Sequence, residues 1–172
     1  MSQACPCVWL HGDSLRPEDP ALAANPDAPA VFVFDEPLLR RLGLSFKRLM
    51  FIYECVEEAF ASRVAPTAIF RGAVPECVLS FARQHGCDTI HTTATESPGF
   101  RRHVQTLRQS MPVVLHTPPL FLPPVPYQPR FSRFWRLVEA DAFRLTTELE
   151  AEWRARSQAQ GRDITLDPRR AA

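Results

Sequence analysis

An α/β fold on a doubly wound, five-stranded parallel sheet is what this sequence predicts, and three observations carry the prediction. Short apolar runs recur along the chain, each closed by a turn signal and followed by a segment of helical period. The runs are continuously apolar and not alternating, as strands buried on both faces of a parallel sheet must be. The length, 172 residues, suits one core, and 45% hydrophobic against 23% charged residues is the balance of a chain that folds.

Residues 5 to 11 (CPCVWLH) read as the first strand, ending at Gly12, and Pro20 opens one short helical turn. Residues 30 to 35 (AVFVFD) are the second strand, closed by Asp35-Glu36-Pro37. From Ser45, an N-cap by residue type, Phe46, Leu49, Met50, Tyr53, Val56 and Phe60 recur at helical spacing toward Arg63. Residues 67 to 71 (TAIFR) meet Gly72 as a third strand and its turn. Pro75 then starts a helix carrying Val78, Phe81 and Ala82, which stops at His85-Gly86, a glycine where a helix end favours one. A fourth strand over 88 to 93 (DTIHTT) leads to a helix over about 100 to 110, and Pro112 precedes a fifth strand at 113 to 116 (VVLH).

The α/β domain thus spans 1–117. Residues 118–130 are too rich in proline for helix or central strand and read as a stiff linker arm. A long amphipathic helix follows over 131–160, with Phe131, Trp135, Val138, Ala142, Leu145 and Leu149 as its apolar stripe and Glu150/Arg154 and Glu152/Arg156 as pairs on its other side. Residues 161–172 read as a flexible tail. The architecture is Rossmann-like, so a ligand is expected beyond the carboxyl ends of the strands, where strand order reverses. Those ends carry His11, Asp13, Asp35, Arg71, Thr92 and Thr93.

A formal net charge of +1 gives no electrostatic ground for nucleic acid or an anionic membrane as the main partner, and direct DNA binding by this chain alone is not expected. No apolar run is long enough to span a membrane and no signal-like start is present, which points to the cytoplasm. Five cysteines, an odd number without a C-x-x-C pair, read as reduced. The G-x-S-x-G elbow, the G-x-G-x-x-G fingerprint and the P-loop are absent, and no catalytic or metal-ligating residue is assigned.

Several segments, in order, resemble the N-terminal α/β domain of DNA photolyases and cryptochromes. Val8-Trp9-Leu10-His11-Gly12-Asp13, followed by Asp19-Pro20-Ala21-Leu22, looks like that family's V-W-F-R-x-D with its D-N-P-A-L, and residues 30 to 35 look like its second strand. Arg48, Phe51-Ile52 and Glu54-Cys55-Val56 are similar to its R-x-x-F-L-x-E-S-L helix, and Arg71-Gly72 before Glu76 resembles R-G-D-P-x-E. Phe81-Ala82-Arg83, Gly86 and Asp88 continue the register, and Pro126-Tyr127, Phe131 and Phe134-Trp135-Arg136 resemble its P-Y-x-x-F-T-P-F-W-R. The resemblance implies an antenna-chromophore type of domain as a stand-alone chain. Too few residues follow Trp135 for the helical FAD-binding domain, so FAD is not supported and no independent repair activity is expected. Leu15 stands where the family has an arginine, and Thr93, Glu96 and Ser97 depart from its folate-holding N-R-x-Y-E, so folate is not supported either.

Strand-end position and resemblance together give a candidate cofactor-binding set of Trp9, His11, Gly12, Asp13, Phe34, Asp35, Arg48, Arg71, Thr93 and Glu96. Asp13 and Asp35 are placed either to bond a ribose or ring or to cap backbone amides, and Arg48 and Arg71 either to meet a phosphate or to pair locally. The cofactor is a flavin-like antenna chromophore or a nucleotide. The function expected is that of a non-catalytic chromophore- or nucleotide-binding module, or a subunit that docks on a separate FAD-domain protein or a second copy through 117–158. The alternatives are a small nucleotide-processing enzyme using Asp13, Ser14 and Asp35, and a ligand-free scaffold.

Overall fold

A computed structural model describes residues 5–159. The chain divides into two compact units, 1–118 and 119–172. In the first, five parallel strands lie in the order β3-β2-β1-β4-β5: β1 Pro6–Leu10, β2 Ala30–Asp35, β3 Thr67–Gly72, β4 Thr89–Thr93 and β5 Val113–His116. Between them run α1 (Pro20–Ala24), α2 (Glu36–Leu42), α3 (Phe46–Phe60), α4 (Val74–Gln84) and α5 (Pro98–Leu107). This is the doubly wound sheet that the apolar runs predicted.

Strand period sorts the side chains into two cores. Cys7, Trp9, Val31, Val33 and Ile90 point to one face and pack under Val74, Val78, Phe81 and Ala82 of α4 and Phe100, Val104 and Leu107 of α5. Val8, Leu10, Ala30 and Phe32 point to the other, under Ala21 and Leu22 of α1 and Val56, Ala59 and Phe60 of α3. The middle strands are therefore buried on both sides, whereas the edge strands β3 and β5 keep exposed positions. Only the last turns of α3 reach the sheet: Phe46, Met50 and Tyr53, expected on the core stripe with Val56 and Phe60, are exposed.

Helix ends follow side-chain chemistry. Asp19, 1% exposed, caps α1, its Oδ1 accepting the N–H groups of Ala21 at 2.9 Å and Leu22 at 3.0 Å while its Oδ2 accepts the Ser14 hydroxyl. The Arg63 guanidinium covers the other end of α1, donating to the carbonyls of Asn25 at 2.7 Å and Leu22 at 3.4 Å, and burial lowers its pKa. The helix α2 was not foreseen: Asp35 caps it, Pro37 sits in its first turn, and Gly43 closes it at φ +57°, a left-handed conformation that glycine adopts without strain.

The second unit holds the proline-rich segment and α6 (Phe131–Ala159). Within α6, Phe131 stacks on Trp135 at 5.9 Å, and Arg144 pairs with Asp141 and Glu148. Of the stripe expected there, Val138 and Ala142 are buried and Phe131 and Leu149 exposed. The side chains of Leu145, Arg154 and Arg156, and the tail after Gly161, lie outside the described residues.

Replacing Asp19 by Ala leaves the buried Leu22 N–H and the Ser14 hydroxyl without this acceptor and the Ala21 N–H with Thr93 Oγ1 alone, and is expected to cost about 2 kcal/mol in urea unfolding. Asp19→Asn, which keeps one acceptor oxygen, should lose distinctly less.

Candidate functional site

A cavity of about 500 Å³ opens beyond the carboxyl ends of β1, β2 and β3, on the face covered by α4 and α5. Its floor is the end of β1 with the loop His11-Gly12-Asp13, one wall is Asp35 with the start and side of α2, and the others are the N-termini of α4 and α5. The position follows from topology, since every β-to-helix connection of a parallel sheet leaves from the same end.

Aromatic rings form the floor. Trp9, 3% exposed, stacks on Phe100 with centroids 5.4 Å apart, and His11 tilts against both at 5.7 and 4.9 Å. The His11 ring donates its Nε2–H to the Thr93 carbonyl at 2.7 Å and accepts the Asp13 N–H at Nδ1, 3.3 Å away. Both nitrogens are thus used in the neutral tautomer, and burial lowers the His11 pKa against the smaller opposing pull of the Thr93 carbonyl. His11 is a fixed structural group, not a proton shuttle.

Three carboxylates reach the cavity. Asp13 accepts the Thr95 hydroxyl at 3.1 Å. Asp35 accepts the Leu38 N–H at 3.3 Å through Oδ1 and the His103 Nε2–H at 3.1 Å through Oδ2. Glu76 stands in the first turn of α4 and is exposed. Beside them, Arg41 and Arg102 line the same cavity, and neither has an ion pair with another of the described residues.

The two helix ends differ. Neither α4 nor α5 has a side-chain cap hydrogen bond, and each begins with proline within its first two positions. In α4, Glu76 already answers the positive end of the helix, whereas the first turn of α5 carries no acidic residue. Gly99 and Phe100 at the start of α5 line the cavity, and of the two helix ends this one suits an anion better.

Of the ten candidate residues, the structure brings Trp9, His11, Gly12, Asp13 and Asp35 together around this cavity. Phe34 does not join them: it shares the α1/α3 face with Phe32, their rings 5.0 Å apart. Thr93 is buried and spends its hydroxyl on the Ala21 N–H, while Arg48 is exposed on α3. Arg71 pairs with Glu36 at 2.9 Å, a carboxylate whose pKa is lowered by its hydrogen bonds from Arg40 and Arg71, and Glu96 pairs with Arg101. Ser14 is bonded to Asp19 and is not among the lining residues. Sequence reading missed Arg41, Arg102 and His103. The signal for Arg41 was present, because Asp35, Pro37 and Gly43 are the cap, first-turn and stop residues of a helix.

No protein-family model matches the chain, and no curated protein matches it. Among solved structures, matches include the hypothetical protein PH0823, 15% identical with a TM-score of 0.42, covering 64% of this chain and 94% of that one. Another is the hypothetical protein MJ0577, whose biochemical function was assigned from its structure, at 10% identity and a TM-score of 0.43, covering 69% of this chain and 99% of that one. A universal stress protein in complex with cAMP matches at 12% identity and a TM-score of 0.39, covering 67% of this chain and 98% of that one.

The expected membership of the photolyase and cryptochrome family is overturned: no family model supports it, and the matched structures named above are two hypothetical proteins and a universal stress protein. The residues behind that resemblance have local structural reasons. Asp19-Pro20 caps and starts α1, Ala21 and Leu22 fill the core, Arg71 pairs with Glu36, and Arg48 and Phe51 are exposed on α3. The reading as a photolyase antenna domain loses its ground with it.

Burial lowers the pKa of His11, and burial followed by the neighbouring His116 lowers that of His91. A histidine with a depressed folded pKa gives stability that is complete above its unfolded value, near 6.5, and lost as pH falls through the folded value. Stability should therefore begin to drop as pH falls below about 6.5. The drop should shrink in His11→Asn and in His91→Asn when urea midpoints are compared at pH 7.5 and 5.5.

Proposed function

We propose that the chain is a nucleotide-binding module that takes a nucleoside phosphate in this cavity. One observation carries the reading: the uncapped start of α5 opens into the cavity beside two arginines, Arg41 and Arg102, that have no ion pair among the described residues. Amide donors at a helix N-terminus and guanidinium forks are the groups that hold phosphate oxygens. The carboxylates of Asp13 and Glu76 are acceptors suited to ribose hydroxyls, and Leu38, Val74 and Phe100 supply an apolar wall for a base. No helix among the described residues is long and apolar enough to cross a membrane. We place the protein in the cytoplasm, where unpaired thiols such as its five free cysteines stay reduced.

A nucleotide-processing enzyme is the second reading, favoured by one contact. Asp35 holds the His103 imidazole at 3.1 Å in the cavity wall, the arrangement that orients a general base. If that reading holds, slow release of phosphate from a nucleotide should be abolished by His103→Gln, with nucleotide affinity retained.

Calorimetric titration with AMP, GMP, ATP and cyclic AMP, the last being the ligand of one matched protein, tests binding. Arg102→Ala and Arg41→Ala should each weaken the best binder about tenfold or more, the size of a lost hydrogen bond to a charged group. Binding of the phosphate-free nucleoside should be weak and unchanged by either substitution. Equal affinity for nucleoside and nucleotide would overturn the reading.

A further inference from the structure

At the other end of the sheet, where β1 and β4 begin, three cysteines gather. Cys5 Sγ lies 3.9 Å from Cys87 Sγ, and Cys7 follows two residues along β1 on the same side. The backbone holds the first two in place: the Cys5 N–H donates to Asp88 Oδ1 at 3.1 Å, and the Asp88 N–H donates to the Cys5 carbonyl at 2.9 Å. β1 and β4 begin to pair just beyond, with Pro6 opposite Thr89, so these two bonds hold Cys5 against Asp88 and its chain neighbour Cys87.

We propose that Cys5 and Cys87 form a thiol pair that a hydroperoxide oxidises reversibly to a disulfide. Access sets the order of events. Cys5 is exposed, Cys87 is 6% exposed and Cys7 is fully buried. Burial pushes the Cys87 thiol up to about 11 and the Cys7 thiol up to about 12, which leaves Cys5 as the sulfur that meets the oxidant. The Cys5 thiolate attacks the peroxide: an S–O bond forms, the O–O bond breaks, and the leaving alkoxide or hydroxide takes up a proton. The Cys87 sulfur then attacks the Cys5 sulfenic acid, the S–S bond forms, and the S–O bond breaks. The hydroxide leaves as water with the Cys87 proton. Two thiols are oxidised by two electrons and one peroxide is reduced to an alcohol, or water, and water. An added thiol reverses the step by exchange.

Hydrogen peroxide, added in equimolar amount to the folded full chain, tests this through intact mass after alkylation and a non-reduced peptide map. The expected result is a loss of two hydrogens and two alkylation sites, a Cys5–Cys87 peptide, a raised Tm, and full reversal by dithiothreitol. Cys7→Ser should keep the disulfide, Cys5→Ser should abolish it, and Cys87→Ser should leave a Cys5 sulfenic acid that dimedone traps. The proposal is overturned by a Cys7–Cys87 or Cys55–Cys77 bridge, by a Cys5–Cys5 link between two chains, or by a wild-type chain whose thiol count does not change.

Discussion

The hydrogen bond from His11 Nε2 to the Thr93 carbonyl, 2.7 Å long and buried, ties the carboxyl ends of β1 and β4 together at the centre of the sheet. The Thr92 hydroxyl, donating to the Trp9 carbonyl at 2.8 Å, is a second buried tie between them, while the chain leaves the two strands toward opposite faces, β1 through α1 and β4 through α5. The neutral ring makes both of its bonds at once, because Nδ1 can accept the Asp13 N–H only when it is unprotonated. Burial disfavours the imidazolium, and the Asp13 amide occupies the other nitrogen. One ring thus sets the position of Asp13, of the loop after β4 and, through that loop, of the uncapped start of α5. The cavity exists because these three are held apart at fixed spacing.

Charge within the cavity is divided to suit a ligand with both an anionic and a hydroxylated part. Two of the three carboxylates on its walls have a structural hold, Asp13 on Thr95 and Asp35 on the α2 amide and His103, so much of the acidic side is fixed in place. The cationic side is not fixed in this way. Arg41 and Arg102 stand on helices beside it, free to fold onto an oxygen-rich group. Pre-set acceptors with adaptable cations are the arrangement that a phosphate on a sugar would complete.

Much of the fold was legible because the signals are local and physical. Continuous apolar runs reported two-sided burial, and Ser45, Pro75 and Gly86 marked helix ends that the structure keeps. The site was legible only to the level of strand ends. Residue parity decides which face a strand-end side chain meets, and Phe34, in phase with Phe32, falls on the face away from the cavity. Arg102 and His103 sit mid-helix in α5 and carry no motif; only the tertiary packing of α5 over Trp9 brings them to the site. The family resemblance failed for a related reason. A capped Asp-Pro start, an apolar β1 and an arginine after β3 answer demands that many doubly wound sheets share, so their order reports the architecture and not descent.

The most direct test of the account is a titration of the isotope-labelled protein with AMP, followed by its backbone amide spectrum. The account predicts that the amides of Gly99 and Phe100 shift first and furthest, followed by those of Gly12 and Asp13, with β5 and α3 unmoved. Shifts confined to the amino ends of the strands, or an unchanged spectrum at millimolar AMP, would contradict it.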